Sequence, residues 1–507
     1  MGIHEEASRD AYDAIVVGSG LGGLTAAALL ARAGRRVLVV ERHDRPGGYA
    51  HAFRRRRYHF DSAVHLVAGC EPAPGTDGGV LHRLLTGLGV RDRCDFVRVD
   101  PCYRIEWPGF TLDVPTGLER FVEAHAERFP REAKGIRGFT EDCLAICSEV
   151  VRADAETAAG PLNHPEHFPV LLRHRRATLG QVLAHHVEDP AARAALAALW
   201  PYLGLPPARV SFLYFATMLM SYVADGAYYC RGTFQSLADA LVAALERDGG
   251  EILLRSVVRR IRVAGGRVAG VVLENGQRIE APLVVSNADA RQTIEELVGV
   301  KHFPPRYSRR LEAMTPSISG FLVYAATSLD LSRAALAHET FLYTGSDHEE
   351  QYASGLAGDP AWLSMTVPTL VDPKLAPAGE HLLVLTTLVA FCAEQPWAER
   401  KQRLVEALLR QAERRLPGLS RSLRHAEGAT PRTLERYTRN EAGAMYGFEM
   451  TPAQVGPGRL ENETPLPGLF LAGHWTRPGG GVVGVVQSGL RTARLALGLG
   501  RDTDLLP

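Results

Sequence analysis

The sequence predicts an α/β fold in which a parallel sheet carries two glycine-rich turns, one near each end of the chain. Three observations lead to this prediction. An apolar strand, a glycine turn and an Ala/Leu-rich helix follow one another at residues 14–33. A block of alternating strands occupies residues 251–286. The stretch "GLFLAGHWTRPGGGVVGVVQSG" at 468–489 has the pattern of another strand, glycine turn and helix, and such turns cradle phosphate groups.

Composition limits the classes of protein that this chain can represent. A chain of 507 residues that is 46% hydrophobic and 22% charged is typical of a soluble globular protein of about two to four domains. Its 57 basic and 57 acidic residues balance, which argues against nucleic-acid binding because no net charge would draw the chain to phosphate. The seven cysteines show no metal-ligand spacing, so we predict reduced thiols and no metal site.

The N-terminal sequence bears on location. The opening segment "MGIHEEASRD" is polar and acidic, unlike a secretory signal peptide. The uncharged run of 18 residues from Ala14 to Ala31 approaches the length of a transmembrane helix, but its four glycines divide it into a strand and a helix. We therefore predict a cytoplasmic location, with at most peripheral contact at the inner face of the membrane.

The first glycine turn has the features of a dinucleotide-binding βαβ unit. Gly18, Gly20 and Gly23 form a GxGxxG pattern between the first strand and its helix. These glycines permit a tight turn, the approach of a pyrophosphate to the backbone, and close packing of helix on strand. The second strand, residues 37–40, ends in Glu41, where a carboxylate accepts hydrogen bonds from a ribose.

The residues after Glu41 favour one dinucleotide. The Pro46-Gly47-Gly48 turn is typical of FAD-dependent oxidoreductases rather than of nicotinamide dehydrogenases. No second GxGxxG follows a strand elsewhere in the chain, so a separate nicotinamide domain is not predicted. We predict FAD as the cofactor.

The middle of the chain predicts a β-meander and a very apolar helix. Alternating strands between residues 251 and 286 are joined by Gly265-Gly266 and by Asn275-Gly276, a strong hairpin turn. The helix, "VSFLYFATMLMSYVADG" at 210–226, has two interpretations. It is a core helix, or its Met and aromatic side chains form the wall of a tunnel for a long apolar substrate.

These blocks, taken in order, resemble a known family. They are "VVGSGLGGLTAAALLARAG" with Glu41, the "PGG" turn, an F-x-R-x-x-x-x-F-D run that ends at Asp61, "VVSNAD" and "GLFLAGHWTRPGGGVVGVVQSG". The chain resembles the phytoene desaturase, carotenoid isomerase and retinol saturase family of FAD-dependent oxidoreductases. The resemblance spans the whole chain in three separated blocks.

The resemblance implies an α/β fold: a glutathione-reductase-like, FAD-binding Rossmann domain with an inserted mixed α+β substrate domain. The FAD-binding domain would comprise residues 1–75, residues 226–290 with the meander, and residues 435–507. The substrate domain would comprise residues 76–225, largely helical, and residues 291–434.

The resemblance also implies cofactor-binding residues. Each is placed by its position in a motif, from the adenine end of FAD to the flavin. The residues are Val258 for adenine; Glu41 for the adenosine ribose; Gly18, Gly20, Gly23, Gly47 and Gly48 for the phosphates; Gly473 for the ribityl–phosphate region; and Val483 and Gly484 for the flavin ring.

The sequence departs from the family at positions that bear on catalysis. Tyr49 stands where many relatives have Arg, and His474 where many have Asp. "FDSAVHL" places His65 where the path should enter the flavin cavity. We predict His65, His474, Tyr446 and Glu449 as candidate acid or base residues, each with a structural role as the competing interpretation.

We predict an oxidoreductase that desaturates or isomerises a long, apolar, conjugated polyene, a hydrophobic small molecule. "GAMYGFEMTPAQVGPGR" also resembles flavoproteins that tailor bacterial polyenes, so a reductive cyclase or saturase acting on a polyketide or tetramate polyene in secondary metabolism is the alternative. An amine-oxidase-type flavoenzyme and a non-catalytic relative of Rab escort proteins are further alternatives. The sequence predicts no particular oligomeric state.

Overall fold

The computed structural model describes residues 6–72, 78–156, 164–392, 397–500 and 505. The first five residues of the N-terminal segment considered above lie outside these ranges. The strands are β1 Ala14–Val17, β2 Val37–Val40, β3 Ala52–Arg55, β4 Tyr58–Asp61, β5 Val67–Ala68, β6 Phe96–Arg98, β7 Tyr103–Trp107, β8 Phe110–Val114, β9 Ala227–Cys230, β10 Glu251–Leu253, β11 Val258–Ala264, β12 Arg267–Leu273, β13 Arg278–Ile279, β14 Val284–Ser286, β15 Ser319–Thr327, β16 Glu339–Tyr343, β17 Trp362–Thr366, β18 His381–Val389, β19 Leu423–Ala429 and β20 Leu469–Leu471.

The α-helices are α1 Leu21–Arg32, α2 Val80–Gly87, α3 Leu118–Arg128, α4 Ala133–Glu156, α5 Pro169–His174, α6 Leu179–His186, α7 Pro190–Ala197, α8 Phe212–Ala224, α9 Gln235–Arg247, α10 Pro305–Glu312, α11 His348–Ala357, α12 Trp397–Arg415, α13 Leu419–Ser422, α14 Pro431–Thr438 and α15 Val482–Ala496. Among the described residues, no helix combines the length and the apolar character needed to cross a membrane.

A five-stranded parallel sheet with the order β10-β2-β1-β14-β20 confirms the predicted α/β fold. Strands β1 and β2 are buried along their whole length, as expected for parallel strands covered on both faces. Helices α1 and α15 pack closely because Gly489 has no side chain: a Cβ there would lie 2.5 Å from the carbonyl oxygen of Gly22.

The predicted meander is shorter than the sequence pattern indicated. Only β11, β12 and β13 form the antiparallel sheet, with Gly265, Gly266 and Gly276 at positive φ in its turns. The flanking strands β10 and β14 instead join the parallel sheet. Strand β14 is completely buried, so both of its faces are covered, as in the interior of a parallel sheet.

A second sheet has seven strands in the order β19-β15-β18-β17-β16-β7-β8. One face packs on helix α12, with Phe321, Val323 and Leu385 in the same core as Leu404 and Leu408. The opposite face carries the alternate residues, because successive side chains of a strand point to opposite sides. That second face forms part of the wall of the cavity described below.

The two sheets draw on different parts of the chain. Strands of the parallel sheet come from residues 14–40, 251–286 and 469–471. Strands of the seven-stranded sheet come from residues 103–114 and 319–429. The predicted division into a discontinuous FAD-binding domain and a discontinuous substrate domain is compatible with this distribution, and its four internal boundaries stay predictions.

Candidate cofactor and substrate site

One large cavity extends from the parallel sheet to the seven-stranded sheet. Its volume is about 2360 Å³. At one end it meets the residues that follow the carboxyl ends of β1, β2, β14 and β20, which is where open parallel sheets bind ligands. At the other end, Leu322, Phe341, Trp362 and Leu388 of the seven-stranded sheet form its wall.

The first glycine turn lies against this cavity. Gly18 has φ of +90°, a conformation that favours glycine, and Gly20 precedes the first residue of α1. Both glycines line the cavity. Gly23 faces away from it and packs α1 on the strand, because a Cβ there would lie 2.5 Å from the carbonyl oxygen of Gly18.

The Pro-Gly-Gly turn closes over the first glycine turn. The N–H of Gly47 donates a hydrogen bond to the carbonyl oxygen of Ser19 at 2.9 Å. A Cβ on Gly48 would lie 3.1 Å from the Cα of Gly20. Gly47 and Gly48 have φ of +121° and +58° and line the cavity. The two turns therefore bring four glycines, Gly18, Gly20, Gly47 and Gly48, to the same part of the cavity.

Glu41 and Val258 line the same end of the cavity. The carboxylate of Glu41 accepts hydrogen bonds from the N–H and hydroxyl of Ser19, at 2.8 and 2.7 Å, and from the N–H of His43 at 2.7 Å. These bonds fix its orientation, and a carboxylate retains further acceptor capacity for ribose hydroxyls. Val258 is the first residue of β11 and presents its backbone at the point where β11 begins.

The second glycine turn meets the first across the cavity. Gly473 has φ of +97° and lines the cavity together with Val483 and Gly484 at the start of α15. The hydroxyl of Tyr214 in α8 donates a hydrogen bond to the carbonyl oxygen of Gly480 at 2.8 Å. Helix α8 therefore anchors the turn that leads into α15.

Asn287 stands between the two glycine turns, a role that sequence reasoning missed. It follows β14, and a Cβ on Gly20 would lie 2.6 Å from its Nδ2. A Cβ on Gly473 would lie 2.9 Å from its Oδ1. Asn287 lines the cavity, and among the described residues its buried Oδ1 has no hydrogen-bond partner. The glycines therefore provide space for this amide as well as for a ligand.

His65 faces the cavity from the loop between β4 and β5. Its Nε2 lies 3.4 Å from a carboxylate oxygen of Glu339 and 3.4 Å from the hydroxyl of Tyr202. The Nδ1 of His65 lies 3.0 Å from the carbonyl oxygen of Ala63. The Nε2–H of His338 donates a hydrogen bond to the backbone carbonyl oxygen of His65 at 2.8 Å. The imidazole is thus held by contacts on both ring nitrogens.

Glu339 is the second functional residue that sequence reasoning missed. Its side chain is completely buried and accepts a hydrogen bond from the hydroxyl of Thr366 at 2.6 Å. Burial alone would lower the pKa of His65, but the charge and hydrogen bond of Glu339, together with the carbonyl of Ala63 and the charge of Asp61, raise it above the ordinary value. Burial likewise opposes the charged form of Glu339, yet His65 and Thr366 hold its pKa below the ordinary value. Each member of the pair therefore favours the charged form of the other.

His474 and Tyr446 also line the cavity, whereas Glu449 does not. Burial, reinforced by the charge of Arg459, lowers the pKa of His474 to about 3, so this imidazole is neutral at physiological pH. The hydroxyl of Tyr446 donates to the carbonyl oxygen of Pro201 at 2.7 Å. The carboxylate of Glu449 pairs with one guanidinium nitrogen of Arg209, with both of its oxygens at 2.8 Å.

Helix α8 has two different faces, which accommodates both interpretations of its apolar sequence. One face is buried in the core and includes Phe212, Phe215 and Leu219. The other face lines the cavity with residues at helical spacing: Leu213, Tyr214, Thr217, Met218, Ser221 and Tyr222. The wall that this helix contributes is therefore mainly apolar and aromatic, with two hydroxyl groups of Ser and Thr.

A family model described as flavin containing amine oxidoreductase matches residues 21–497. The chain belongs to this family. It is an FAD-dependent oxidoreductase, as the sequence predicted. The residues present fit the cofactor, because glycines of both turns line the cavity and the buried Oδ1 of Asn287 between them has no partner among the described residues. The individual contacts of those residues with FAD stay predictions.

Curated relatives span nearly the whole of this flavoenzyme and confirm the resemblance to the desaturase, isomerase and saturase family. Prolycopene isomerase 1 of an Oncidium hybrid cultivar is 27% identical and is aligned over 96% of this chain and 84% of its own length. Phytoene desaturase (lycopene-forming) of Pseudescherichia vulneris is 28% identical and is aligned over 95% of this chain and 98% of its own length. All-trans-retinol 13,14-reductase of Rattus norvegicus is 25% identical and is aligned over 91% of this chain and 82% of its own length.

Solved structures share the fold of this flavoenzyme. A putrescine oxidase bound to putrescine superposes with a TM-score of 0.64 at 18% identity, over 96% of this chain and 99% of that one. An oxidoreductase from Methanosarcina mazei superposes with a TM-score of 0.62 at 19% identity, over 94% and 98%. The fold is thus common to all three chains.

Proposed function

We propose that this flavoenzyme acts on a long, apolar, conjugated polyene by desaturation or double-bond isomerisation. The observation that carries the proposal is the cavity of about 2360 Å³. Pockets for one small ligand usually measure about 300–1,000 Å³. The extra volume continues past the two glycine turns to the apolar face of α8 and to the seven-stranded sheet, which suits a substrate that is both long and apolar.

The relatives support the same class of substrate. Their names refer to prolycopene, phytoene and all-trans-retinol, which are apolar conjugated or polyene molecules. FAD, when bound, supplies hydride or electron transfer. The chain then has to hold the polyene in an extended cavity, exclude water from it, and move a proton.

His65 is the residue that we propose for the proton. Its imidazole faces the cavity, and the nearby carboxylate of Glu339 favours the protonated form of the imidazole. A protonated imidazole acts as an acid, which saturation requires and which an acid-catalysed isomerisation uses. His474 is neutral, and we assign it a role in lining the cofactor end of the cavity rather than in proton transfer.

The protonated His65 also supports a second candidate, a reductive cyclase or saturase that uses reduced flavin on a polyketide or tetramate polyene. In that reaction the substrate gains a hydride and a proton, so an acid in the cavity is needed. Pure desaturation removes a proton instead and therefore requires a base. The charge state of His65 thus favours isomerisation within the first candidate and reduction within the second.

We propose that an apolar substrate enters between α4 and α8. Leu144 and Val151 of α4 line this end of the cavity, and 36% and 72% of their surface is exposed. An apolar rim suits peripheral contact with a membrane that holds the substrate, in keeping with the cytoplasmic location predicted above. Co-sedimentation with lipid vesicles, compared between the wild type and Val151→Asp, tests this contact.

The function is tested by anaerobic incubation of the FAD-loaded protein, oxidised or reduced, with phytoene, prolycopene, all-trans-retinol or a tetramate polyene. Desaturation gives a product two hydrogens lighter, isomerisation one of equal mass with a changed absorption spectrum, and reduction one two hydrogens heavier. Putrescine is included to test the amine-oxidase alternative. Reduction of the flavin by the amine, with no polyene converted, overturns the proposal.

A further inference from the structure

Arg459 is a completely buried cation close to the second glycine turn. Its guanidinium donates hydrogen bonds to the carbonyl oxygens of Tyr446 at 3.0 Å and Phe448 at 3.2 Å. It also donates to those of His474 at 2.5 Å and Gln454 at 3.4 Å. Its Nε has no partner among the described residues.

No carboxylate in the described part of the chain lies within ion-pair distance of Arg459. Acidic residues near Arg459 in sequence do not pair with it: Glu461 pairs with Arg477 and Arg491, and Glu463 is exposed. Glu449 pairs with Arg209. Burial lowers the pKa of Arg459 to about 10, so the group is still charged at neutral pH. A buried charge without a counter-ion is costly, and carbonyl dipoles compensate it only in part.

The charge of Arg459 is separated from the cavity by one layer of backbone. Tyr446 and His474, whose carbonyl oxygens it contacts, both line the cavity. A Cβ on Gly480, just before α15, would lie 3.2 Å from the same carbonyl oxygen of Tyr446. The neutral His474 adds no charge, so Arg459 is the fixed cation behind this wall. The N-terminus of α15 adds a partial positive charge at the same place.

We propose that Arg459 is an electrostatic tuning residue for FAD, whose charge favours the reduced, anionic form of the cofactor. An ionic group in a site of low dielectric acts over several ångströms without touching its partner. A negative ligand on the other side of the wall would supply the counter-charge that the protein itself lacks. The proposal requires FAD in the cavity but makes no assumption about the substrate.

Sulfite binding to the FAD-loaded protein tests the charge directly. Sulfite forms a bond to the flavin N5 with its own electron pair, so the flavin of the adduct becomes negatively charged, and the loss of visible flavin absorbance reports it. The variants are Arg459→Lys, which keeps the charge but loses most of the donors, and Arg459→Gln, which keeps donors but loses the charge. We expect the dissociation constant of sulfite to stay near the wild-type value in R459K and to rise about tenfold, or about 1.4 kcal/mol, in R459Q.

Arg310→Gln is the matched control. Arg310 also donates to backbone carbonyls, those of Pro457 at 2.8 Å and Arg459 at 2.9 Å, but it is exposed to solvent. We expect its sulfite affinity to equal that of the wild type, because water screens an exposed charge. The proposal is overturned if R459Q binds sulfite as tightly as the wild type. It is also overturned if R459K and R459Q lose sulfite affinity equally, because Arg459 would then act only by holding the backbone in place.

A variant that binds FAD weakly is still informative, because sulfite affinity is measured per bound flavin. The two-electron midpoint potential of the bound FAD is a second measurement that needs no substrate. We expect a lower potential in R459Q than in R459K. The reverse order, or identical potentials, contradicts the proposal whether or not any polyene is converted.

Discussion

The imidazole of His65 and the carboxylate of Glu339 lie 3.4 Å apart at the wall of the cavity. His65 follows β4, near the start of the chain, and Glu339 is the first residue of β16 in the seven-stranded sheet. The ion pair therefore links the segment that carries the first glycine turn to the sheet that forms the far wall. Because Glu339 is completely buried, solvent screens this pair only weakly.

Glu339→Gln tests whether the carboxylate keeps His65 protonated. If His65 donates a proton, the rate falls as pH rises through its pKa. In the wild type we expect this midpoint above about 6.5, the ordinary value for histidine. In E339Q the buried imidazole loses its counter-ion, so we expect the midpoint below about 6.5 and a lower rate at pH 7. The measurement is the pH profile of single-turnover polyene conversion.

Asp61, which is near His65, titrates in the same range and requires a control. Burial raises the pKa of Asp61 to about 7 and lowers that of His338 to about 4. His65→Gln removes the imidazole and leaves both neighbours in place, so we expect its profile to lose this midpoint. A wild-type midpoint that persists in H65Q, or an E339Q profile that superposes on the wild type, contradicts the assigned role.

Gly20→Ala tests the cradle of the first glycine turn. The added Cβ would lie 2.6 Å from Nδ2 of Asn287, so the amide has to move into the space of the ligand. Overpacking of this kind costs about 1–3 kcal/mol, and we expect FAD affinity to fall by about tenfold to a hundredfold. Gly345→Ala is the control, since its Cβ would meet nothing within 4 Å. Flavin fluorescence titration of the apoprotein measures both; unchanged affinity in G20A refutes the steric account.

Met218→Trp tests the tunnel formed by α8. Met218 is on the face of α8 that lines the cavity. The larger side chain should reduce kcat/KM for a long polyene by about tenfold or more and leave the content of bound FAD unchanged. Leu356→Trp is the control, because this residue of α11 is 42% exposed and does not line the cavity. Undiminished turnover in M218W would mean that the substrate lies elsewhere.

Glu449→Gln separates a structural ion pair from a catalytic residue. Glu449 is bound to Arg209, whose side chain is 45% exposed, and it does not line the cavity. We expect kcat to stay within about twofold of the wild type and the free energy of unfolding to fall by about 1 kcal/mol or less. Turnover and urea denaturation measure the two effects. A large loss of kcat with normal FAD content restores Glu449 as a catalytic candidate.

The elements that local sequence determines were the ones predicted well. Strand β1, the GxGxxG turn and α1 form from consecutive residues, and their order along the chain is sufficient to identify a βαβ unit. The second glycine turn was predicted for the same reason. Hairpin turns such as Gly265-Gly266 have a local signature too, which fixes where the chain reverses but not which sheet the flanking strands join.

The contacts that sequence reasoning missed join distant segments. Asn287 belongs to the "VVSNAD" motif, yet its position between Gly20 and Gly473 depends on β14 lying between β1 and β20. Glu339 begins an otherwise ordinary strand, and only the packing of that strand beside residues 62–68 brings it to His65. Arg459 lies in a Gly- and Pro-rich loop, where the sequence pattern gives no indication of burial. None of these positions has a periodic or spacing signal of its own.

Strand β20 belongs to the parallel sheet but comes late in the chain, and this has a consequence for folding during synthesis. The second glycine turn follows β20, so a growing chain on the ribosome has β1, β2 and β14 long before it has the partner that completes the cofactor cleft. FAD capture must therefore wait until residues 469–489 emerge. Until then β14 has an exposed edge, and α1 has an apolar side that α15 later covers. Both surfaces need protection from association with other chains. Riboflavin starvation should accordingly leave released apoprotein that already contains residues 469–489, rather than shorter chains, in chaperone complexes.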